Sequence, residues 1–327
     1  MNAGRRGAKD RLEAPITVAE LGEFGLIASI KALAPPGAAQ LVGIGDDAAV
    51  LRPPDGPLVA TMDMLVQDRH FRRDWSTAFD IGCKAAAQNL ADVAAMGATP
   101  TALLVGFATP GDLPVAWAQD LIRGLVAECS RAGAFLAGGD VSSADKITLA
   151  ITALGDLAAR EPVTRAGALP GDQLALAGRL GHSAAGLALL EAGLTEPGAL
   201  VACHRRPRPP YAAGPEAAAL GATSMIDISD GLLGDLGHVA RASGVRIDVG
   251  TAQLADSRLT AAAAALGGAD WLRWALTGGE DHALAATFPA QTKLGRPWRV
   301  VGSVSAGEGV RVDGQEYPGP AGWTHFA

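Results

Sequence analysis

The chain has 327 residues, of which 49% are hydrophobic and 19% are charged, a composition typical of globular proteins with a sizeable core. Its net charge of −7 argues against a nucleic-acid-binding protein, because such proteins usually carry a basic surface. No apolar run approaches the roughly 20 residues needed to cross a bilayer, so we expect no membrane partner. We expect residues 1–16 to be a flexible tail rather than a signal peptide. The three cysteines match no metal-binding spacing, which predicts a cytoplasmic protein.

Two adjacent carboxylates lie in a glycine-flanked loop, where Asp46 and Asp47 follow Gly45. Such neighbours repel by roughly 4 kcal/mol at contact distance when the effective dielectric constant is near 20. The loop is therefore predicted to be either a solvated turn or a cation site. It also comes close to the dinucleotide-binding fingerprint, but Pro53 and Pro54 leave no room for the helix that this fingerprint requires.

Two further carboxylates interrupt apolar elements. Residues 58–66 predict a strand that contains Asp63, and a lone buried Asp is costly unless it is paired or binds a metal. Alternatively, Asp63 caps a turn at the strand end. Residues 80–96 predict a helix with Asp92 in its last turn, where the helix dipole disfavours a carboxylate. Asp92 is thus either a functional group or part of a solvated helix face.

The first half of the chain alternates strands and helices, which predicts an α/β fold. A helix is predicted over residues 17–34. The Gly138-Gly139-Asp140 stretch predicts a turn at a strand end, where a carboxylate beside bare backbone suits phosphate and metal together. A polar stretch after residue 157 places a domain boundary there, giving predicted domains at 17–158 and 159–327.

The second half contributes a second acidic cluster, formed by Asp227, Ser229 and Asp230. One helix N-cap would explain one of these residues, but not three polar groups in four positions. Arg165 is either a phosphate clamp or an ordinary surface arginine. Residues 204–210 are basic and proline-rich, and we expect a solvated linker there.

The collected acidic residues favour magnesium over other metals. Oxygen ligands in this number suit Mg²⁺, which bridges carboxylates to substrate phosphates, whereas no His/Cys cluster suits Zn²⁺. The sequence contains neither a Walker A motif nor the protein-kinase motif set. Phosphoryl transfer requires positioning and charge neutralisation more than covalent help, and an acidic site with several Mg²⁺ ions supplies both.

An ordered series of short motifs resembles the thiamine-monophosphate kinase family. These motifs lie at residues 22–24, 43–49, 63–71, 89–98, 138–140, 164–167, 226–232 and 278–281. Any one of them is weak, but together they keep the family's order over nearly the whole chain. The wider superfamily includes aminoimidazole-ribonucleotide synthetase and selenophosphate synthetase.

The resemblance implies a two-domain PurM-like fold of the α/β (α+β) class, with an N-terminal mixed sheet and helices that form a homodimer and a C-terminal α/β domain. It implies transfer of the γ-phosphate of ATP to thiamine monophosphate, in line and without a phosphoenzyme. The products would be thiamine diphosphate and ADP.

The resemblance also implies a role for each matching residue. Several Mg²⁺ ions would be bound by Asp46, Asp47, Thr61, Met62 (through its backbone), Asp63, Asp92, Asp140, Asp227 and Asp230. The catalytic residues would be Asp47, Asp140 and Asp230. ATP would contact Gly139, Asp140, Arg165 and Ser229. Thiamine monophosphate would contact His70, Glu280 and Trp323, with the tryptophan stacking on an aromatic ring.

Two positions depart from the family pattern. Met62 stands where a hydroxyl residue is common, and His282-Ala283 replaces the more usual Tyr-Glu. The alternatives are another ATP-dependent enzyme of the superfamily and a non-catalytic module that binds Mg²⁺ and nucleotide. A selenophosphate synthetase would need a reactive cysteine near the N-terminus, whereas the first cysteine is Cys83.

Overall fold

The computed structural model describes residues 15–45, 48–196 and 198–323. Helices and strands alternate through the first half of the chain. In order they are α1 (Val18–Leu21), α2 (Glu23–Leu33), β1 (Gln40–Val42), β2 (Val50–Leu51), β3 (Leu58–Val66), α3 (Ala78–Ala95), β4 (Thr99–Thr109), α4 (Val115–Ala132), β5 (Phe135–Ser143) and β6 (Thr148–Asp156).

The first half is built on a four-stranded sheet in the order β3-β6-β4-β5. β6 runs antiparallel to both β3 and β4, whereas β4 and β5 are parallel. The sheet is therefore mixed, as the resemblance implied. One face is covered by α3, whose Ile81, Leu90 and Val93 are fully buried.

Helices α3 and α4 approach each other closely through two glycines. A Cβ atom on Gly82 would lie 2.0 Å from the carbonyl oxygen of Leu121, and one on Gly124 would lie 2.1 Å from that of Phe79. Any larger residue would force the helices apart, because real Cβ contacts are never that short. The N-terminus of α3 is stabilised by a capping box between Thr77 and Asp80.

The second half is built on a six-stranded sheet in the order β12-β9-β11-β7-β10-β8, in which only the β12–β9 pair is parallel. Its elements are β7 (Gln173–Ala177), α5 (His182–Glu191), α6 (Gly198–Arg205), α7 (Ala213–Ala219), β8 (Ser224–Ile228), α8 (Leu232–Ser243), β9 (Arg246–Val249), a 3₁₀ turn (Thr251–Leu254), α9 (Ser257–Ala265), α10 (Trp271–Thr277), β10 (Ala283–Phe288), β11 (Arg299–Ser305) and β12 (Gly309–Val312).

Both faces of this second sheet are covered. Met225 and Ala286 pack into the core that includes α3 and the first sheet. The next residues along the same strands, Ile226 and Ala285, pack into a second core with Leu236 of α8. This alternation follows from the two-residue period of a strand, and it places the end of β8 beside α3.

The open face of the first sheet differs from this arrangement. Strand β3 lies at the sheet edge, and its Leu58, Met62 and Met64 are 54%, 58% and 46% exposed. The intervening Thr61 and Asp63 are only partly exposed. Leu58, Met62 and Met64 therefore face outward, whereas Thr61 and Asp63 lie on the same side of the strand as the buried Leu65.

The predicted α/β class is confirmed by the element order, and so is the strand at 58–66. The domain boundary stays a prediction, and it lies between β6 and β7. Residues 1–14, most of the predicted tail, fall outside the described residues. Within the described ranges, no helix combines the length and apolar character needed to cross a membrane.

Three local predictions are wrong. The helix over 17–34 is broken at Gly22, which has φ of 75°, so α1 and α2 are separate helices. Gly138, Gly139 and Asp140 continue strand β5 instead of forming a turn, because they pair with β4. Residues 204–210 are not a solvated linker, since His204, Pro207 and Pro209 are buried.

Candidate active site

Strand β3 and helix α3 together position two of the predicted carboxylates. The backbone N–H of Asp63 donates to Asn89 Oδ1 at 2.8 Å, and Gln88 Nε2 donates to Asp63 Oδ2 at 2.8 Å. Thr61 Oγ1 donates to Asp92 Oδ2 at 3.2 Å. Asp63 is thus paired with an amide, and Asp92 belongs to a packed helix face rather than a solvated one.

A third carboxylate comes from strand β8 in the other half of the chain. Burial raises the pKa of Asp92 to about 7, and the negative charges of Asp227 and Asp63 add to that increase. Carboxylates influence one another in this way only when they lie close together in a poorly solvated site. Helix α3 packs against both β3 and β8, and this packing brings Asp63, Asp92 and Asp227 into one acidic cluster.

The side chain of Asp227 is hydrogen-bonded to a histidine. His282 Nδ1 lies 3.2 Å from Asp227 Oδ2, and both side chains are buried. Burial alone would lower the pKa of His282, but the hydrogen bond and charge of Asp227 raise it above its usual value. The histidine that departs from the family pattern thus contacts a predicted metal ligand directly.

The loop after β8 is shaped by Asp235 of α8. Its Oδ2 atom accepts hydrogen bonds from the backbone N–H groups of Ser229, Asp230 and Gly231, each at 3.1 Å. α8 has no side-chain cap at its first residue, so neither Ser229 nor Asp230 acts as a plain N-cap. The loop is therefore held by the Asp235 side chain.

A buried lysine connects two predicted substrate-binding residues. Lys84 of α3 is only 3% exposed, and its Nζ atom lies 2.8 Å from Glu280 Oε1 and 3.2 Å from the carbonyl oxygen of His70. His204 Nδ1 lies 3.5 Å from the other Glu280 oxygen. Although burial alone would raise it, Lys84 and His204 lower the pKa of Glu280.

The loop that carries Glu280 is held at several points. Glu280 and His282 both have positive φ values, 63° and 52°, which are uncommon for residues other than glycine. The backbone N–H of Glu280 donates to Ser229 O at 2.7 Å. Asp281 accepts from the N–H groups of Gly181 and Ser183 at 2.5 and 2.8 Å, so it anchors the start of α5.

Trp323 lies beside the Asp230 loop. Its backbone N–H donates to Asp230 O at 2.9 Å, and the guanidinium of Arg69 lies 5.4 Å from its ring centre. The ring is more than half exposed. Since Arg69 precedes His70, the predicted substrate residues His70, Glu280 and Trp323 are connected through short contacts around one region.

The predicted nucleotide residues occupy the surface of both halves. Gly139 has φ of 156°, and a Cβ atom there would lie 2.0 Å from Val105 O, so only glycine fits. Asp140 is exposed and accepts from Ser142 Oγ at 2.8 Å. Arg165 is exposed. Burial lowers the pKa of His238, and the charges of Arg241 and Arg165 lower it further, whereas the charge of Asp230 acts in the opposite direction.

Part of the predicted metal set cannot be placed. Asp46 and Asp47 lie outside the described residues. Within the ranges 15–45, 48–196 and 198–323, no three His, Cys, Asp or Glu side chains are arranged to hold a metal ion. Asp140 lies on β5, at the opposite edge of the first sheet from β3, and Met62 points its side chain to the open face.

Two surface cavities lie away from the acidic cluster. One of about 380 Å³ includes Lys31, Gln40 and Gly45 in its wall. The other, of about 400 Å³, includes Arg160 and Thr223. Neither wall contains a member of the acidic cluster, although the first lies directly before Asp46 in the sequence.

Sequence reasoning missed the residues that support this site, chiefly Lys84, Gln88, Asn89, His204 and Asp235. A signal was present for some of them. Asp80, Lys84, Gln88 and Asp92 recur every four residues and therefore form one polar stripe on an otherwise apolar helix. Asp235 lies in the first turn of α8, where an acidic residue is common, so nothing in the sequence singles it out.

Comparison with known proteins identifies the family. Residues 45–157 match the family described as AIR synthase related protein, N-terminal domain. A thiamine-monophosphate kinase of Mycobacterium tuberculosis H37Rv is 50% identical over 313 residues, which cover 95% of this chain and 93% of that protein. The Corynebacterium glutamicum protein of the same name is 41% identical, with 97% of each chain covered.

Solved structures agree. The crystal structure of thiamine-monophosphate kinase from Stenotrophomonas maltophilia K279a superposes with a TM-score of 0.78 at 33% identity, covering 89% of this chain and 96% of that one. A structure of AaThiL complexed with AMPPCP and TMP gives a TM-score of 0.77 at 34% identity, covering 95% and 99%. The resemblance and the PurM-like fold predicted from the motifs are thus confirmed, and the chain belongs to the thiamine-monophosphate kinase family.

Proposed function

We propose that this protein transfers the γ-phosphate of ATP to the phosphate of thiamine monophosphate, giving thiamine diphosphate and ADP. Its relatives at 50% and 41% identity bear the name of this activity, and the relative complexed with AMPPCP and TMP supports a nucleotide and thiamine monophosphate as the two substrates. The enzyme class is a phosphotransferase with a phosphate group as acceptor.

The observation that carries the proposal is the acidic cluster. Asp63, Asp92 and Asp227 come from a strand, a helix and a strand that are far apart in sequence, yet α3 packs against both strands and Asp92 is hydrogen-bonded to Thr61 of β3. Folding brings like charges together at a cost in free energy. A site for cations and phosphates explains why the chain keeps them there.

The donor set fits Mg²⁺ in its chemistry, because every candidate ligand is an oxygen. The ions would be held by Thr61, Asp63, Asp92, Asp227 and Asp230, together with Asp46, Asp47, Asp140 and the backbone carbonyl of Met62. When bound, Mg²⁺ neutralises phosphate charge during transfer. The catalytic residues in this proposal are Asp47, Asp140 and Asp230.

The other residues bind and orient the substrates. Glu280 is fixed by Lys84 and His204, and Lys84 also holds the His70 backbone, so both face thiamine monophosphate in a defined position. Trp323 presents an exposed ring for stacking. Arg165, Ser229, Gly139 and Asp140 contact ATP. Direct in-line transfer needs no covalent phosphoenzyme, because positioning supplies most of the catalysis.

The open face of the first sheet supports a homodimer. Leu58, Met62 and Met64 form an exposed apolar row on an edge strand, and such patches mark interaction sites. A second copy of the chain would bury this row. The three free cysteines are in keeping with a cytoplasmic location, where thiols stay reduced.

The test is an assay of purified protein with ATP, Mg²⁺ and thiamine monophosphate, in which thiamine diphosphate and ADP are both measured. We expect the two products to form in equal amounts and thiamine itself to be inactive as the acceptor. ADP without thiamine diphosphate would indicate another ATP-dependent enzyme of the superfamily. Nucleotide binding without either product would indicate a non-catalytic module.

A further inference from the structure

A cysteine, a histidine and an aspartate in the second half of the chain contact one another in series. None of them belongs to the predicted set of kinase site residues. Cys203 of α6 points toward α5, where its Sγ atom lies 3.8 Å from Nδ1 of His182. The other ring nitrogen of His182, Nε2, lies 2.9 Å from Asp256 Oδ2. His182 is buried, whereas Cys203 is partly exposed.

Asp256 fixes the tautomer of the histidine. Its Oδ1 atom accepts from the backbone N–H of Arg258 at 2.8 Å, and Oδ2 faces His182. Burial raises the pKa of Asp256, but the hydrogen bonds from Arg258 and His182 outweigh it and leave that pKa below its usual value. An ionised carboxylate only accepts hydrogen bonds, so Nε2 carries the proton and Nδ1 presents its lone pair to the thiol.

The surroundings of His182 favour its neutral form, in which Nδ1 keeps a lone pair directed at the thiol. Burial lowers the pKa of His182, and the charges of Arg179 and Arg258 lower it further, while Asp256 opposes them. Arg179 also contacts the sulfur directly, since its Nη1 atom lies 3.7 Å from Cys203 Sγ. A nearby base and a nearby cation are the two features that favour a thiolate.

The other two cysteines lack this environment. Cys83 and Cys129 are buried in the core of the first half, and burial raises the pKa of each thiol to about 12. They therefore serve as unreactive references within the same chain. The contrast assigns reactivity to a single position.

We propose that Cys203 is a reactive thiol, activated by His182 and Arg179, and that it is a modification site for hydroperoxides. The Cys203 proton passes to His182 Nδ1, and the thiolate sulfur attacks one peroxide oxygen. The O–O bond breaks, the sulfur is oxidised to a sulfenic acid, and the peroxide is reduced. The leaving oxygen takes the proton from His182 and departs as water or an alcohol.

The first test measures alkylation of the full-length protein by iodoacetamide at pH 7, with each cysteine quantified by mass spectrometry. An ordinary cysteine of pKa near 8.5 is only about 3% thiolate at this pH, so activation can raise the rate by about tenfold or more. We expect Cys203 to react about tenfold faster than cysteine in an unstructured peptide. Cys83 and Cys129 should react far more slowly than the peptide.

Matched variants separate activation from simple exposure. Asp256→Asn keeps an N-cap for α9 but removes the charge that orients His182, and Arg179→Gln changes an exposed side chain. Each should lower the Cys203 rate by about threefold or more, whereas Arg123→Gln, a surface change on α4, should leave it unchanged. A Cys203 rate no higher than that of the peptide, or one insensitive to both variants, would overturn the proposal.

The second test exposes the protein to hydrogen peroxide and traps sulfenic acid with dimedone. We expect the adduct at Cys203 in the wild type, less of it in Asp256→Asn, and none in Cys203→Ser. An adduct found instead at Cys83 or Cys129, or none at all, would contradict the assignment. Neither test depends on kinase activity, so the outcome is independent of the proposed function.

Discussion

Strand β3 departs in part from the usual pattern of a surface strand, although its Leu65 is buried in the core. Thr61 and Asp63 are turned toward α3 and hydrogen-bonded within the structure, whereas Leu58, Met62 and Met64 are exposed. An edge strand normally turns its apolar residues inward and its charges outward. This arrangement agrees with the proposed function, in which the inner face would bind a charged ligand and the outer face an apolar surface.

The comparison also explains why Met62 is tolerated next to two predicted ligands. Alternation along the strand puts its side chain on the opposite face from Thr61 and Asp63. Only its backbone could serve the inner site. A methionine there costs the acidic cluster nothing and enlarges the apolar row.

The largest expected effect lies on the polar side. Asp230→Asn removes a carboxylate of the predicted metal set, and we expect kcat to fall by about 100-fold or more, with the fold intact by circular dichroism. The backbone contacts of Asp230 to Asp235 and Trp323 do not involve its side chain, so the loop should persist. Asp120→Asn, an exposed change on α4, is the control. Near-normal turnover would remove Asp230 from the catalytic residues.

The next effect lies on the apolar side. Met62→Lys combined with Met64→Lys places two charges in the proposed dimer interface, where each would be desolvated. We expect the dissociation constant of the dimer to rise by about 100-fold or more, as measured by sedimentation velocity. Leu169→Lys changes a similarly exposed apolar residue elsewhere and should leave the assembly unchanged. A double variant that remains dimeric would place the interface on another surface.

A smaller effect is expected for the lysine that connects the two halves. Lys84→Met removes the charged hydrogen bond that holds Glu280, worth roughly 1.5 kcal/mol or more, and should raise KM for thiamine monophosphate by about tenfold. KM for ATP should change much less. Steady-state kinetics with each substrate varied separately provide the check, and Lys146→Met, at an exposed ion pair, is the control. Equal changes in both KM values would indicate a purely structural lysine.

The last expected effect is a pH dependence of stability in metal-free protein, which concerns the acidic cluster without any substrate. The pKa of Asp92 is about 7 in the folded chain, above its unfolded value, so the folded state binds more protons between those two pKa values. Stability therefore falls as pH rises from 5 to 7, by up to ~1.4 kcal/mol per pH unit for one group.

Urea unfolding in EDTA at several pH values measures this dependence. Asp92→Asn should flatten it without abolishing it, because burial also raises the pKa values of Asp235 and Asp281 to about 7. An unchanged slope in the variant would show that Asp92 is already ionised in the folded protein.

The sequence predicted the fold well where periodicity and end signals agreed. Strand β3 and helix α3 follow directly from the apolar patterns of residues 58–66 and 80–96. The Gly138-Gly139-Asp140 stretch was misread because two glycines usually mark a turn, whereas pairing with β4 keeps them extended. Tertiary contacts decided that case, and a local pattern does not contain them.

The predicted site was recovered in part for a similar reason. Carboxylates stand out in a sequence because they are costly in apolar elements, so Asp63, Asp92 and Asp227 were found. Their supports, Lys84 and Asp235, lie on helices where charged residues are ordinary. Only the folded chain shows that one is buried against Glu280 and that the other organises a loop.

The glycine contact between α3 and α4 has a consequence for evolution and engineering. Because the backbones of α3 and α4 are in direct contact at Gly82 and Gly124, α3 has no room to rotate or shift toward α4. Lys84, Gln88 and Asp92 belong to the same helix, so Gly82→Ala would displace all three side chains together. Attempts to stabilise this protein by replacing helical glycines should therefore leave these two positions untouched.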